Sequence, residues 1–270
     1  MTPGPITSTE LSPAQFERAR KLAYDVSGIR LDDTKKPLVT ARIMHRLRLL
    51  GLSDMNAYFA LLDNDLKESA KLVDELTTNK TSFFREASHF DVLRNKIIPS
   101  LKDRRLRIWS AGCSSGEEPY TLAMTVKEAG TALDGVDVRI LATDLSERML
   151  EKARAGVYAE ETLADVAPPL RQKYFEPAGE EQWRVKPILK SLIQFAPLNL
   201  QQAWPMKGPF NAIYCRNVMI YFDRETRQKL VTRYAELLAP GGFFFVGHSE
   251  SLTGITHTLR YVEPAAYQRE

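Results

Sequence analysis

The sequence predicts an α/β protein in which a small all-α domain precedes a doubly wound, Rossmann-like sheet. Residues 1–79 carry helical patterns and none of the alternation that is typical of strands. From residue 107 onwards, short apolar strands alternate with helical stretches, which is the pattern of βαβ units. With 270 residues, 44% of them hydrophobic, the chain can bury a sizeable core in one large domain or two.

Four helices are expected in the first third of the chain. Ser12 is followed by a proline, which predicts a helix start, and Gly28 ends that helix. Asp54 caps the third helix, and Asn64 or Asp65 caps the fourth. The predicted helices span 12–27, 34–50, 53–64 and 65–79.

The second helix is strongly basic. It contains five lysine or arginine residues and one histidine without a single acid. Three of the cations lie along one flank of its apolar face on a helical wheel. This pattern fits either a solvated basic face or a docking surface for an acidic partner, and the residues alone leave both open. The basic residues are Lys35, Lys36, Arg42, Arg46 and Arg48, together with His45.

Residues 79–94 are predicted to link the helical domain to the rest of the chain. Phe83, Phe84 and Arg85 stand there among small polar residues. Such a half-apolar segment either fills an interface between domains or closes over a ligand as a lid. A helix over 87–101, ended near Pro99, is expected to follow.

The sheet is built from the strands and helices that begin at residue 107. Residues 156–190 interrupt the rhythm with several prolines and short pieces, which predicts a helix and a small antiparallel β insertion. We therefore expect a helical domain over 1–78, the linker over 79–94 and a ligand-binding domain over 95–270. The predicted strands are 107–111, 138–144, 192–200, 210–215 and 243–247, with a last antiparallel strand from the tail, and the helices are 117–130, 146–155 and 224–238.

The turn after the first strand indicates the kind of ligand. Gly112 and Gly116 can adopt positive φ and let a ligand approach the backbone, as in the first βα turn of nucleotide-binding sheets. Glu117 and Glu118 then stand where a phosphate site would offer bare amides. They would repel a pyrophosphate, but not a ligand with an ammonium group, a sulfonium and ribose hydroxyls. S-adenosylmethionine is such a ligand.

Other polar residues follow the remaining strands. Asp144 ends the second strand, where a carboxylate can accept both ribose hydroxyls, although it could instead belong to the cap region of the next helix. Asn199 and the stretch 216–221 follow later strands. Because ligands of open parallel sheets bind at the carboxyl ends of the strands, these residues are expected to form one crevice. A parallel sheet closed by an antiparallel strand is also the architecture of class I methyltransferases.

Composition excludes several other classes. The net charge of +3 is too mild to indicate nucleic acid binding by itself. The two cysteines have no metal-site spacing and suggest a reducing compartment. No apolar run approaches the ~18 residues of a membrane span, and no signal peptide is evident. We expect a soluble, cytoplasmic protein without a metal cofactor.

With these residues in place, the chain resembles the CheR-type chemotaxis receptor methyltransferases. The resemblance runs through nearly the whole chain, and its RNVMIYF and TSFFRE stretches are quite specific. It implies transfer of a methyl group from S-adenosylmethionine to glutamate side chains of methyl-accepting receptors. The matching stretches are LTTNKTSFFREASHF (76–90), RIWSAGCSSGEEPY (107–120), ATD (142–144), FAPLNL (195–200), FNAIYCRNVMIYF (210–222) and GHSE (247–250).

The resemblance also implies roles for individual residues. Arg85 would orient the substrate carboxylate, and Tyr221 would either offer it a second contact or be a core aromatic after the strand. Phe83, Phe84 and Tyr221 would line an apolar cavity. The basic helix would dock on the receptor's acidic methylation helices through Arg42, Arg46 and Arg48. The expected cofactor contacts are Asn79, Thr81, Arg85, Glu117, Glu118, Asp144, Asn199, Leu200, Arg216 and Asn217.

Family members that tether to a carboxy-terminal receptor peptide tend to have a longer, glycine-richer loop in the β insertion. This chain has only the short turn 177–181, so we expect no tethering. Two other functions are considered. One is a methyltransferase acting on RNA or a small molecule, although the basic helix lacks interleaved aromatic residues. The other is a non-catalytic adaptor that senses S-adenosylmethionine. We expect a monomer.

Overall fold

A computed structural model describes residues 10–77 and 79–270, which form two compact units. The smaller unit holds the described residues up to 77 together with Tyr221–Asp223. The larger unit holds Asn79–Ile220 and Arg224–Glu270, so the segment 79–94 folds with the larger unit. Residues 1–9 and Thr78, which the predicted helical domain includes, lie outside the described residues.

The smaller unit contains the four predicted helices. Ser12 forms a capping box with Gln15 at the start of the first helix, and Gly28 ends it in a left-handed conformation. Asp54 and Asp65 cap the third and fourth helices by accepting backbone N–H groups, so Asn64 is not a cap. The helices are α1 (Pro13–Ser27), α2 (Lys36–Leu50), α3 (Met55–Asn64) and α4 (Leu66–Leu76).

The larger unit contains the predicted sheet and the β insertion. Seven strands form the main sheet, and three short strands form a separate antiparallel sheet within residues 156–190. The strands are β1 (Arg105–Ala111), β2 (Asp137–Asp144), β3 (Val157–Ala159), β4 (Phe175–Gly179), β5 (Gln182–Val185), β6 (Ile193–Pro197), β7 (Phe210–Tyr214), β8 (Leu238–Phe245), β9 (Leu259–Glu263) and β10 (Ala266–Arg269). The helices are α5 (Ser88–Val92), α6 (Glu117–Glu128), α7 (Glu147–Ala155), α8 (Pro168–Tyr174), α9 (Pro187–Lys190) and α10 (Arg224–Leu237).

The main sheet has the strand order β6-β2-β1-β7-β8-β10-β9. The first five strands in this order run parallel, and β10 is antiparallel to both of its neighbours. The predicted antiparallel strand is therefore confirmed, but the tail supplies two strands rather than one. Ala265, at φ 60°, makes the tight turn that separates them.

The predicted helix over 87–101 is not regular. After α5 the chain widens into a π-helical turn at Leu93–Ile97 and then tightens into a 3-10 turn at Ile98–Ser100. Pro99 has no backbone N–H to donate to an α-helical partner, so a regular helix cannot continue through it.

The register of the sheet places four strand ends side by side. Ala111 of β1 is paired with Thr143 of β2, and Asp144 of β2 is paired with Pro197 of β6. On the other side of β1, Ser110 is paired with Tyr214 of β7. The loops that carry the predicted site residues therefore start from adjacent positions. None of the helices in the described parts of the chain is long and apolar enough to cross a membrane.

Candidate cofactor and substrate site

The turn between β1 and α6 is held against the end of β2. The backbone N–H groups of Gly112 and Cys113 both donate to the carbonyl of Thr143, at 2.8 and 2.9 Å. Gly116 has φ +100°, and a Cβ atom there would stand 2.9 Å from the Cβ atom of Ala153. Only glycine meets both requirements, so Gly116 keeps the turn tight.

Asp144 is fixed at the carboxyl end of β2. Its carboxylate accepts the backbone N–H groups of Ser114, at 2.7 Å, and Ser146, at 2.9 Å. The Ser146 side chain caps α7 by accepting the N–H of Met149, which confirms Ser146 as the cap. The Asp144 carbonyl accepts the N–H of Leu198, so the loop with Asn199 and Leu200 begins beside this carboxylate.

The two glutamates of the turn have different surroundings. Glu117 accepts the hydroxyl of Ser115 at 2.7 Å, and burial raises the pKa of its carboxyl. Glu118 accepts the Ser110 hydroxyl at 2.7 Å and a guanidinium N–H of Arg216 at 2.9 Å. Burial raises the pKa of Glu118 as well, and the positive charge of Arg216 opposes that rise. Glu118 therefore forms an internal ion pair with Arg216, whereas Glu117 accepts a hydrogen bond from the Ser115 hydroxyl.

Arg216 is the centre of a buried charge network. Its side chain is 2% exposed and contacts the carboxylates of Glu118 at 2.9 Å and Glu86 at 3.0 Å. It also donates to the backbone carbonyl of Arg85. Burial tends to raise the pKa of Glu86, but Arg216 and the backbone N–H of His248 hold it below its usual value. Arg216 therefore ties the segment 79–86 to the end of β7.

Two further hydrogen bonds anchor the segment 79–86. The hydroxyl of Ser114 donates to the Asn79 carbonyl at 3.0 Å, and the Thr121 hydroxyl accepts the N–H of Phe84 at 3.2 Å. Phe84 and Glu86 have φ values of 53° and 56°, an uncommon conformation that clusters at functional sites. The segment is thus held in one defined path beside the glycine turn.

Phe83 does not line an open cavity. It is fully buried, and its ring packs edge-on against the rings of Tyr158 and Phe175, with centroids 5.1 and 5.6 Å away. The expectation for Phe83 is therefore wrong, because this ring belongs to the core that joins the β insertion to the main sheet. Phe84, Thr81 and Arg85 are half-buried.

Arg85 differs from Arg216 in its partners. One terminal nitrogen of its guanidinium donates to the Lys80 carbonyl at 2.9 Å. Within residues 10–77 and 79–270, no carboxylate forms an ion pair with Arg85. Its charge therefore remains available for an anionic ligand, and a guanidinium suits a carboxylate because it can donate two parallel hydrogen bonds.

Glu250 is a site residue that sequence reasoning missed. It is 7% exposed and accepts the backbone N–H groups of Gly247, Asn217 and Ile220, at 2.5, 2.7 and 3.1 Å. Asn217 has φ 58°, and a Cβ atom at Gly247 would stand 2.2 Å from its side-chain nitrogen. Glu250 therefore holds the loop after β7 in a strained conformation. The GHSE stretch (247–250) belongs to the family resemblance and was the sequence signal for Glu250, but no role was predicted for it.

His89 was also missed. It is 1% exposed, and neither ring nitrogen has a hydrogen-bond partner within the described ranges. Burial, with help from the charge of Arg216, lowers the pKa of His89 to about 4. Its Nδ1 lies 3.7 Å from a carboxylate oxygen of Glu86.

The three predicted docking arginines of α2 separate into two kinds. Arg42 is exposed, with a Glu75 carboxylate 3.8 Å away, and Arg48 is exposed as well. Arg46 is not on the surface: its side chain is 11% exposed and makes two hydrogen bonds to Glu68, at 2.8 and 2.6 Å. The docking role of Arg46 is therefore wrong, because its charge is neutralised inside the smaller unit.

Tyr221 belongs to the smaller unit. It ends the short 3-10 helix Met219–Tyr221, packs partly buried against the core of that unit, and accepts the Arg30 N–H at its carbonyl, at 3.0 Å. Its contact with a substrate stays a prediction.

The fold and the site together define a class, the S-adenosylmethionine-dependent methyltransferases. The main sheet continues on one side of β1 through β2 and β6, and the glycine turn at its centre is flanked by carboxylates. This set of donors and acceptors fits S-adenosylmethionine. The carboxylates of Glu117 and Asp144 suit a ligand with hydroxyl, ammonium and sulfonium groups and disfavour a polyphosphate.

The chain belongs to the CheR methyltransferase family. The family's model described as "CheR methyltransferase, SAM binding domain" matches residues 79–267, and the one described as "CheR methyltransferase, all-alpha domain" matches residues 14–77. S-adenosylmethionine is therefore its cofactor.

Three relatives show how far the similarity extends. The chain is 40% identical to chemotaxis protein methyltransferase 2 of Pseudomonas aeruginosa, covering 98% of both chains. It is 39% identical to the chemotaxis protein methyltransferase of Borreliella burgdorferi, covering 98% of this chain and 95% of the relative. It is 42% identical to the Escherichia coli protein of that name, covering 93% and 89%.

Proposed function

We propose that this protein is a protein-glutamate O-methyltransferase that methylates methyl-accepting chemotaxis receptors. It transfers the methyl group of S-adenosylmethionine to glutamate side-chain carboxylates and forms methyl esters. Membership of the CheR family and the relatives named chemotaxis protein methyltransferases support this activity. We place the enzyme in the cytoplasm as a monomer that binds no nucleic acid.

The observation that carries the proposal is the half-buried guanidinium of Arg85. Its backbone carbonyl is fixed by Arg216, and the neighbouring Glu86 is fixed by the same guanidinium. The Arg85 side chain itself has no acidic partner within the described ranges. A carboxylate that enters the crevice would therefore find a positioned cation, which suits a glutamate substrate better than a nucleobase.

The chemistry requires little from the protein beyond position. S-adenosylmethionine supplies a methyl group on a sulfonium, which is already a good leaving group. An ionised carboxylate is a sufficient nucleophile, so no strong general base is expected. Arg85 would align the carboxylate, and alignment together with exclusion of water would supply most of the rate.

The remaining side chains would bind the cofactor. Asp144 would accept the ribose hydroxyls, and Asn199 and Leu200 would lie on the adenine side. Glu117, with Glu118 beside it, would face the positively charged part. The segment before β1 and the loop after β7 would complete the pocket through Asn79, Thr81, Arg216 and Asn217.

Docking on the receptor is assigned to α2. With Arg46 buried, Arg42 and Arg48 are the arginines on the exposed face of this helix, and the acidic methylation helices of the receptor are the expected partner. Charge reversal at Arg48 should lower the rate of receptor methylation and leave cofactor binding unchanged. Arg20 on α1, which is paired with Asp33, is the control for a change of surface charge.

We propose further that docking does not need a receptor tail peptide. The turn between β4 and β5 consists of Glu180 and Glu181 alone, which leaves little loop for an added peptide. Calorimetry with a receptor tail peptide should detect no binding, and a saturable heat signal would refute independence.

Labelled S-adenosylmethionine offered to receptor membranes and to RNA tests the activity. We expect label on the receptor that is released as methanol in base, since methyl esters hydrolyse and N-methyl bases do not. Arg85→Ala should lose transfer even at saturating cofactor, because Arg85 is expected to align the carboxylate as well as to contact the cofactor. Arg85→Lys should recover only part of the transfer, because lysine cannot donate the bidentate pair. Label on RNA would favour the first alternative, and cofactor binding without any transfer would favour the adaptor.

A further inference from the structure

Three potential metal ligands converge beside the charge network, from two separate parts of the chain. Glu86 follows the segment 79–85, His89 lies in α5, and His248 lies in the loop after β8. One ligand atom from each residue lies within 4.8 Å of the other two. The two imidazole rings are perpendicular, with centroids 5.1 Å apart.

The buried imidazole of His89 needs a partner. Neither ring nitrogen meets the geometry of a full hydrogen bond within the described ranges, although the residue is 1% exposed and the backbone of Pro264 is near enough to oppose the fall of its pKa. Buried polar atoms are rarely left without a partner, and an ion or an ordered water is the usual explanation where one is. His248 is exposed and could swing toward a shared ion at little cost.

We propose that Glu86, His89 and His248 form a binding site for a divalent transition metal of the zinc type. Two imidazole nitrogens and one carboxylate oxygen are the ligand set that such ions prefer, whereas magnesium and calcium prefer oxygen ligands alone. His248 lines a cavity of about 440 Å³ together with Ser88 and Glu263, so this ligand is open to solvent. A water molecule would complete a tetrahedral site from that side.

Two carboxylates beside the site oppose the nearby positive charge. Glu86 and Glu118 share the guanidinium of Arg216, whose charge also acts on His89 and helps to lower its pKa. Cys113 and Cys215 are both buried and cannot offer a competing thiolate at the surface. No other group of three potential ligands is found in the parts of the chain that the structure covers.

Metal binding should also inhibit the enzyme. The Glu86 carboxylate that would bind the ion now accepts the Arg216 guanidinium at 3.0 Å and the backbone N–H of His248 at 3.1 Å. An ion would compete for these lone pairs and loosen the hold of Arg216 on the segment with Arg85. The inhibition rests on the proposed function, but the binding does not.

Cobalt(II) absorption and zinc calorimetry on the full chain test the site without any methyl transfer. We expect one saturable site in the wild type and an affinity about tenfold or more weaker in His248→Ala, which removes an exposed ligand. His45→Ala is the matched control, because His45 is also exposed and lies 3.5 Å from the carboxylate of Glu75, and it should bind as the wild type does. No binding by the wild type, or equal binding by wild type and His248→Ala, would overturn the proposal.

The inhibition is tested by the ratio of methylation rates with and without zinc. The methylation rate with zinc, divided by the rate without zinc, should fall below one in the wild type and in His45→Ala. At the same zinc concentration, it should fall less in His248→Ala. Saturation of the site without any change in the wild-type rate would overturn the inhibition while the binding stands. An enzyme inactive on receptors under all conditions would contradict the proposed function instead.

Discussion

Replacement of Arg46 by methionine distinguishes a structural arginine from a docking one. Arg46 on α2 and Glu68 on α4 form a buried ion pair whose side chains are 11% and 3% exposed. The hydroxyl of Tyr58 donates to the same carboxylate at 2.9 Å. Arg46→Met leaves the shape of the side chain nearly unchanged but strands the charge of Glu68 in the core.

The expected cost follows from that geometry. Removal of one partner of a buried ion pair costs about 3–5 kcal/mol, because the remaining charge is buried without compensation. The loss should appear in the free energy of unfolding of the smaller unit. The double variant Arg46→Met with Glu68→Met should recover most of it, since apolar residues of similar volume replace such pairs at little cost. Tyr58, which loses its acceptor, would account for a remaining deficit of about 1 kcal/mol.

The assay uses the distribution of tryptophan. All three tryptophans of the chain lie in the larger unit, so their fluorescence follows that unit alone, whereas far-ultraviolet circular dichroism follows both. In urea-induced unfolding, Arg46→Met should lower the urea concentration at which one circular-dichroism transition occurs. The midpoint of the fluorescence transition should not change. Arg48→Met is the matched control and should shift neither. If Arg46→Met unfolds like the wild type and only receptor methylation falls, the structural role of Arg46 is refuted.

Two further predictions concern the larger unit. Glu250→Gln keeps the size of the side chain but loses at least one of three backbone hydrogen bonds. The loop with Asn217 should therefore relax, and cofactor affinity, measured by isothermal calorimetry, should fall about tenfold or more. Unchanged affinity would show that Glu250 does not position the site. Gly116→Ala must hold a side chain at φ +100° and 2.9 Å from Ala153, which should cost about 1–3 kcal/mol and lower the melting temperature of the larger unit. Gly130→Ala, at φ +55° with open space around it, is its control and should cost less.

Much of the fold could be predicted because its signals are local. Helix caps such as Ser12 and Asp54 and the alternation of strands with helices are visible within a few residues of sequence. The glycine turn and Asp144 could be placed together because parallel strands end at the same edge. The second strand of the tail was not visible in the pattern, whereas Pro99 marks the break after α5 in the sequence itself.

The errors in the site are errors about partners distant in sequence. Arg46 lies on the flank of a basic helix, and the sequence could not show that Glu68, 22 residues later, neutralises it. Phe83 stands in a polar segment, yet it packs on rings of the β insertion. Glu250 reaches Asn217 only because β7 and β8 are neighbours in the sheet. Each of these contacts could be identified only from the tertiary structure.

Mass-spectrometric mapping of the transferred methyl group tests the central claim most directly. A receptor cytoplasmic fragment would be incubated with the full-length protein and S-adenosylmethionine, digested, and compared before and after mild base. We predict added methyl groups on glutamate side chains, removable by base and absent when Arg85→Ala is used. Methyl groups on other atoms, or none on the receptor while the cofactor binds normally, would contradict the account.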